Sequence, residues 1–393
     1  MRVAFLPRRV TMEIFVGAAG MLALAWAWHA DVHWFEHHWL VSYCVRGSKT
    51  LRAILAARIA AAACGLFLLL FMRPRLGRWI AKRPLRDAVA TFARIGIPVF
   101  FALVVCEIVL RIKYGAPNPY PNITWLPKAR ANDAYIWELE PSHTSKVNVG
   151  GRDLQYVVDA HGFRLPEDGT ALDLEKPTVV FAGESLVFGL GVSNDETYAA
   201  MLAAELGITA VNSGVHGYGS DQVYLRTKDI LPSVPHLAAL VTAFLPSQLE
   251  RNIFDFRKRL ALRSDGTLEA VEPTPAWLRE IRMRLLWREL VPYHGDESIA
   301  LTRALLRATA ELARARGAVA LFLVTNCEAP CIAIGDDTPR IVREIFDAEH
   351  LSYVKVDMDP TWHVPYDVHP DVRGHRKIAA ALGEALRQAK IGH

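Results

Sequence analysis

The stretch Phe181-Ala-Gly-Glu-Ser-Leu-Val-Phe-Gly-Leu-Gly-Val192 decides how this chain is read. An apolar run, Pro177-Thr-Val-Val180, leads into it and stops at Gly183-Glu-Ser185. A short apolar run that ends in a turn reads as a buried strand. A serine in a turn of small residues at the end of such a strand can hold its hydroxyl in open space above a sheet. To act as a nucleophile it needs a neighbouring base. Near the far end of the chain stands Asp367-Val-His369-Pro370, followed by Gly374-His375 and a helical pattern. Serine comes early; acid and histidine come late and close together. That order separates one serine-nucleophile architecture from another.

Around these two points runs a strand–helix rhythm. Apolar runs predict strands at 177–182, 208–212, 237–244, 318–324 and 352–357. Helices fit at 195–206, 220–231, 297–316 and 372–389. Such alternation folds as an α/β domain, a parallel sheet with helices on both faces. Residues 252–296 break the rhythm and read as an insertion. Within them, Trp277 to Trp287 carries arginines at close intervals, as a lid, a membrane-surface helix or a solvated helix would. Residues 130–176 read as a hairpin-like lead-in with the role of a cap or rim.

The Gly-x-Ser-x-Gly elbow of α/β-hydrolases is not supported, because Val187 stands where its second glycine belongs. Four pieces instead resemble the SGNH/GDSL hydrolase superfamily. Gly183-Glu-Ser185 sits where that family has Gly-Asp-Ser. Asn212-Ser-Gly-Val-His-Gly217 is similar to its second block. Phe244-Leu-Pro-Ser247-Gln248-Leu-Glu-Arg-Asn252 takes the place of the third, and Asp367-Val-His369 that of the fifth. The likeness covers roughly residues 177 to 390, and a looser one reaches back to about 130 through Val157-Val-Asp-Ala-His-Gly-Phe-Arg164. It implies a flavodoxin-like, three-layer domain over 177–393. It also implies a triad of Ser185 as nucleophile, His369 as base and Asp367 as its orienting acid. Gly217, with Ser247 or Gln248, would hold the oxyanion, and no metal or organic cofactor is implied. Three positions depart from the pattern: Glu184 for the usual Asp, Ser247 for the usual Asn, and two residues rather than three from acid to histidine. Bland roles stay open for these residues: a turn serine at 185, a helix cap at His369, a structural His375. His216 and His363 are fallback bases. The resemblance leaves three functions: an acyl or acetyl esterase, an acyltransferase using the same triad, or a decayed glycan-binding or scaffold domain. An acylated glycan or lipid-linked sugar is the expected substrate; protein partners are unknown.

The first 113 residues differ in kind. They carry 16 Lys/Arg against 5 Asp/Glu, while the remainder carries 29 against 36. Basic residues there flank apolar runs and do not cluster with aromatics, which excludes a nucleic-acid surface. Apolar segments at about 12–28, 51–72 and 88–110 predict transmembrane helices, which need about 20 residues each. The segment Arg73–Asp87 holds Arg73, Arg75, Arg78, Lys82, Arg83 and Arg86, and reads as a cytoplasmic loop. The resulting topology is a multi-pass protein of a bacterial inner membrane, with everything after Lys113, the linker and lead-in at 114–176 included, periplasmic. A cleaved signal peptide is the alternative for the first segment, and leaves the domain on the same side. Arg58 and Glu107 are expected at similar depths, as a pair or snorkelling separately. His29, His33, Glu36, His37 and His38 are metal-ligand types, but interleaved Trp28, Trp34 and Trp39 favour an interfacial segment. A disulfide between Cys327 and Cys331 is favoured in an oxidising compartment.

Overall fold

A computed structural model describes residues 7–31, 48–114, 127–253, 257–273, 295–325, 341–359, 361–365 and 369–392. The cysteines at 327 and 331, the stretch Trp277–Trp287 and most of the first outer loop lie outside these residues. Two units are distinct.

The helical unit contains α1 (Arg8–His29), α2 (Ser48–Phe67), a π-helical segment Leu68–Met72, α3 (Arg73–Ala81) and α4 (Leu85–Tyr114). The stretches Arg8–His29, Arg52–Ala81 and Arg86–Ile112 are long and apolar enough to cross a membrane, with mean hydropathies of 1.7, 2.3 and 2.3. The basic segment expected as a loop is helical from Arg73 to Ala81. Pro74 does not prevent this, because it sits in the first turn, where its missing N–H is not needed. Helices α1 and α2 meet at glycines: a Cβ on Gly65 would stand 2.8 Å from the Gly20 carbonyl oxygen. Small residues at such a crossing let two backbones approach closely. The pair Arg58–Glu107 does not form. Arg58 Nε donates to the Ala27 carbonyl at 2.9 Å, and Nη2 reaches that of Trp28. Those carbonyls close α1, where the last turn leaves acceptors without intrahelical partners. Glu107 accepts from Arg111 Nε, one turn along its own helix, at 2.7 Å.

In the α/β unit the strands are β1 (Ala129–Asn132), β2 (Ile136–Leu139), β3 (His143–Val149), β4 (Arg152–Val158), β5 (Arg164–Leu165), β6 (Thr178–Ala182), β7 (Thr209–Asn212), β8 (Leu237–Phe244), β9 (Arg259–Leu262), β10 (Leu268–Val271), β11 (Val319–Thr325) and β12 (Tyr353–Val356). Its helices are α5 (Ser185–Phe188), α6 (Tyr198–Leu206), α7 (Ser220–Ile230), α8 (Ser247–Arg251), α9 (Gly295–Arg314) and α10 (Val372–Gln388). Parallel pairing orders five strands β7-β6-β8-β11-β12, the flavodoxin-like order expected. Strand β6 lies at the centre, and Val179, Val180 and Phe181 have no exposed surface. Burial of each contributes about 1.5–3 kcal/mol, which sets the register of the sheet.

The lead-in is not a cap. It continues the same sheet through β5, β4 and β3, all antiparallel, to give eight strands. In β4 the alternating Leu154, Tyr156 and Val158 are buried and join the core. The hairpin β1–β2 precedes this extension, and β9–β10 forms a second hairpin inside the insertion. Helix α10 is strongly amphipathic and lays Ile378, Leu382 and Leu386 against β6, β8 and α6.

His375 lies wholly inside this layer, stacked on Tyr198, and its Nδ1 accepts from the Tyr198 N–H at 3.3 Å. Burial first, then the Arg164 charge, pushes its pKa down to about 3. Burial likewise pushes His216 down to about 4. Both rings are neutral when folded but protonate near 6.5 when unfolded, so the unfolded state binds more protons below that pH. Stability is therefore full above about pH 6.5 and falls toward pH 3–4, by up to about 1.4 kcal/mol per pH unit for each ring. Denaturant titrations of wild type and His375→Gln across pH 4–7 should show a shallower acid slope in the variant; equal slopes would remove His375 from this limb.

Candidate active site

The chain leaves β6 at Gly183 and turns at once into α5, a single helical turn that begins with Ser185. Glu184 precedes it in an extended conformation, and Phe188 N–H donates back to the Glu184 carbonyl at 3.0 Å. Gly189 and Leu190 N–H both donate to the Ser185 carbonyl, at 3.0 and 3.1 Å. The serine is thus fixed by its own backbone. It stands beyond the carboxyl end of β6, where the strand order reverses because β7 and β8 lie on opposite sides of β6. Ligands of open α/β sheets bind at such a switch point.

Two further loops close on this turn. After β7, Asn212 Nδ2 donates to the Val187 carbonyl at 2.7 Å, and Val215 N–H to that of Gly183 at 3.1 Å. Gly217 follows with φ +76°, a left-handed value that glycine adopts without strain. Trp137 from β2 lies against it, and its indole N–H donates to the His216 carbonyl at 3.1 Å. After β8, helix α8 carries Ser247 half-buried at its start and Gln248 fully inside. Gln248 Oε1 accepts from Ser220 Oγ at 3.1 Å, while its Nε2 is buried without a partner. Asn252 accepts from Ser220 N–H and donates to Thr302 Oγ1, each at 2.7 Å. Glu184 forms an ion pair with Arg251 of α8, and Arg251 Nη1 also donates to the Tyr218 carbonyl at 3.2 Å. The extra methylene of Glu184, relative to aspartate, gives its carboxylate the reach to this partner.

His369 arrives from the other end of the chain. His363 and Pro370 form a β-bridge, and Val364 N–H donates to the His369 carbonyl at 2.9 Å. Val364 itself is buried against Gly191 of the loop after α5. The half-buried His369 ring then places Nε2 2.7 Å from Ser185 Oγ. Asp367 lies outside the described residues. Neither Ser185 N–H nor Gly217 N–H donates to another described group. His216, one residue before Gly217, is buried, with Nδ1 unpartnered and His369 within electrostatic range. His375 belongs to the α10 layer described above.

Sequence reading did not find Arg164, Arg251, Asn212 or Asn252 as members of this assembly. All four stand in segments that carry the resemblance, but nothing in the sequence marks the contacts they make. Among the described residues no three His, Cys, Asp or Glu side chains gather as a metal site.

No family model matches the sequence, and no curated protein matches it. Solved structures with similarity include an acetyl xylan esterase from the rumen bacterium Butyrivibrio proteoclasticus, at 14% identity and a TM-score of 0.35. That match covers 54% of this chain and 64% of the esterase. A member of the lipolytic protein G-D-S-L family from Veillonella parvula matches at 13% identity and a TM-score of 0.33, over 54% of this chain and 98% of its own. A carbohydrate acetylesterase from Sinorhizobium meliloti matches at 12% identity and a TM-score of 0.33, over 55% and 100% respectively. At these identities and scores none of them assigns an activity to this chain.

The contact of Val364 with Gly191 makes the histidine loop sensitive to one methyl group. A Cβ on Gly191, at φ +89°, would lie 2.6 Å from Val364 Cγ2. Gly191→Ala should destabilise the fold by about 1–3 kcal/mol through strain and overpacking. It should also slow phosphonate modification of Ser185. Adding Val364→Ala should restore part of the modification rate, because it removes the clash but not the strain. An unchanged rate in the single variant would show that Val364 does not set the histidine loop.

Proposed function

We propose that this chain is a membrane-anchored serine ester hydrolase of the SGNH/GDSL type, an acyl or acetyl esterase acting outside the inner membrane. The observation that carries the proposal is the 2.7 Å contact between Ser185 Oγ and His369 Nε2 at the switch point of the sheet. In this mechanism Ser185 Oγ bonds to the acyl carbon while His369 Nε2 takes the hydroxyl proton. For Nε2 to accept, the ring proton must sit on Nδ1, and Asp367 is assigned to hold it there. The Ser185 and Gly217 amides donate to the developing oxyanion, with Ser247 or Gln248 as the third donor. Loss of one such donor costs about 100–1000-fold in rate, roughly 3–4 kcal/mol. Collapse breaks the ester C–O bond, and His369 returns its proton to the departing alcohol. Water then attacks the acyl-serine, with His369 again as base, and releases the acid. Because burial keeps His216 neutral down to about pH 4, the imidazolium formed at His369 has no second charge at that position.

The two-residue spacing of Asp367 and His369 resembles that of some membrane-linked and acetyl-transferring relatives in that superfamily. The substrate class proposed is an acylated glycan or a lipid-linked sugar. Three apolar helices support anchoring. The basic residues between Arg73 and Arg86 support a cytoplasmic position for that segment, which leaves the catalytic unit outside after three spans.

The full chain in detergent should release acetate from an acetylated oligosaccharide, and Ser185 should be the one serine labelled by a phosphonate. Ser185→Ala should abolish both while keeping the fold. Asp367→Asn should cut kcat by about 10⁴-fold, since an amide can hold the wrong imidazole tautomer. Full turnover in the Ser185→Ala protein would end this reading. Topology has its own check. A reporter fused after His393 should behave as periplasmic and one inserted near Arg78 as cytoplasmic; a cytoplasmic report from the first would overturn the localisation.

A further inference from the structure

Arg164 is the largest fully buried side chain in the unit, and it lacks what usually accompanies a buried cation. Among the described residues no carboxylate hydrogen-bonds to it, and its Nε has no partner at all. Burial pushes its pKa down to about 10, which still leaves it charged at neutral pH. A buried ion in this state is a poor source of stability, because desolvation is only partly returned.

What Arg164 does make is specific. Nη1 donates to the carbonyls of Phe188 and Gly189, the latter at 2.8 Å, and Nη2 to that of Val192 at 2.7 Å. These residues are the end of α5 and the loop immediately after it. The guanidinium lies 4.8 Å from the centroids of both the Tyr156 and the Phe188 rings, which meet edge to face at 5.1 Å. Tyr156 adds a fourth tie, since its hydroxyl accepts from the Gly191 N–H at 2.9 Å. The base of Arg164 is fixed in turn. Arg226 donates from Nη2 to the Gly162 carbonyl at 2.9 Å and from Nε to that of Ser213 at 3.2 Å. One arginine therefore clamps the turn after the serine, and a second ties that clamp to the loop that leads to Gly217.

We infer that Arg164 is a positioning residue for Ser185, and that the antiparallel strands β4 and β5 are working parts of the catalytic unit. The inference rests on the esterase reading above. Its chemistry is geometric. A planar fork fixes three carbonyls at once, so the single turn of α5 cannot rotate Ser185 Oγ away from His369. Misplacement of a reacting atom by about 1 Å costs about 100-fold in rate.

The test compares phosphonate labelling rates of full-length Arg164→Lys, Arg164→Ala and Tyr156→Phe with wild type in detergent, with folding checked by circular dichroism. Arg164→Lys keeps the charge but loses the fork, and should label about 30- to 100-fold more slowly while folded. Added guanidinium should restore part of the rate to Arg164→Ala and leave wild type unchanged. Tyr156→Phe keeps the ring over the guanidinium and frees only Gly191, so it should fold and label about 3- to 10-fold more slowly. If Arg164→Lys does not fold, Tyr156→Phe decides. Wild-type labelling rates in folded Arg164→Lys, or in Tyr156→Phe when it decides, would overturn the inference. No labelling of wild type would sink the esterase reading instead, which keeps the two failures apart.

Discussion

Strand β6 has no free side. Both faces are covered by helices, and both edges are hydrogen-bonded to neighbours. A residue within it can reach nothing but core. The chain can present a side chain to solvent or substrate only after β6 ends, and the turn that ends it must be tight enough to leave its neighbours paired. The placement of Ser185 follows from this constraint. So does the cluster of straps on the turn: Asn212 from one neighbouring strand, Arg251 from beyond the other, and Arg164 from the antiparallel extension. Each comes from a different element and each addresses a backbone or carboxyl group within a few residues of the serine.

The same straps explain how the departures from a familiar pattern are absorbed. Glu184, one of the positions that depart from the pattern, stands directly beside the serine. In the fold it is one half of an ion pair whose other half, Arg251, also holds the Tyr218 carbonyl. Breaking such a pair on one side typically costs about 3–5 kcal/mol, because a buried charge is left alone. The two side chains at the start of α8 differ in their surroundings. Gln248 turns its oxygen to Ser220 inside the protein, whereas Ser247 sits half-buried at the start of α8.

Much of the scaffold was legible because it depends on local pattern. Apolar runs such as Thr178–Ala182 and Leu237–Phe244 can only be central strands, and they gave the parallel order. The serine at a strand end and the late histidine were visible for the same reason. Contacts set by distance in space were not visible. Nothing near Arg164 in sequence says that its partners lie 24 to 28 residues further on. The hairpins of the lead-in were legible, but not their place in the sheet, because β5 has only two residues, too short to show alternation, yet it joins β4 to β7 and extends the sheet. In the helical unit, Arg58 meets the carbonyls that end α1, partners that no charge pattern in the sequence marks.

Ser185 and His369 are 184 residues apart in the chain yet in contact in the fold. At roughly 5–20 residues per second of synthesis, the serine exists for about ten to forty seconds before its histidine has been made. Until then the Ser185 hydroxyl lacks the imidazole that it contacts in the fold. A nascent chain that has passed the central strands but not residue 369 therefore holds the strapped turn without its partner ring.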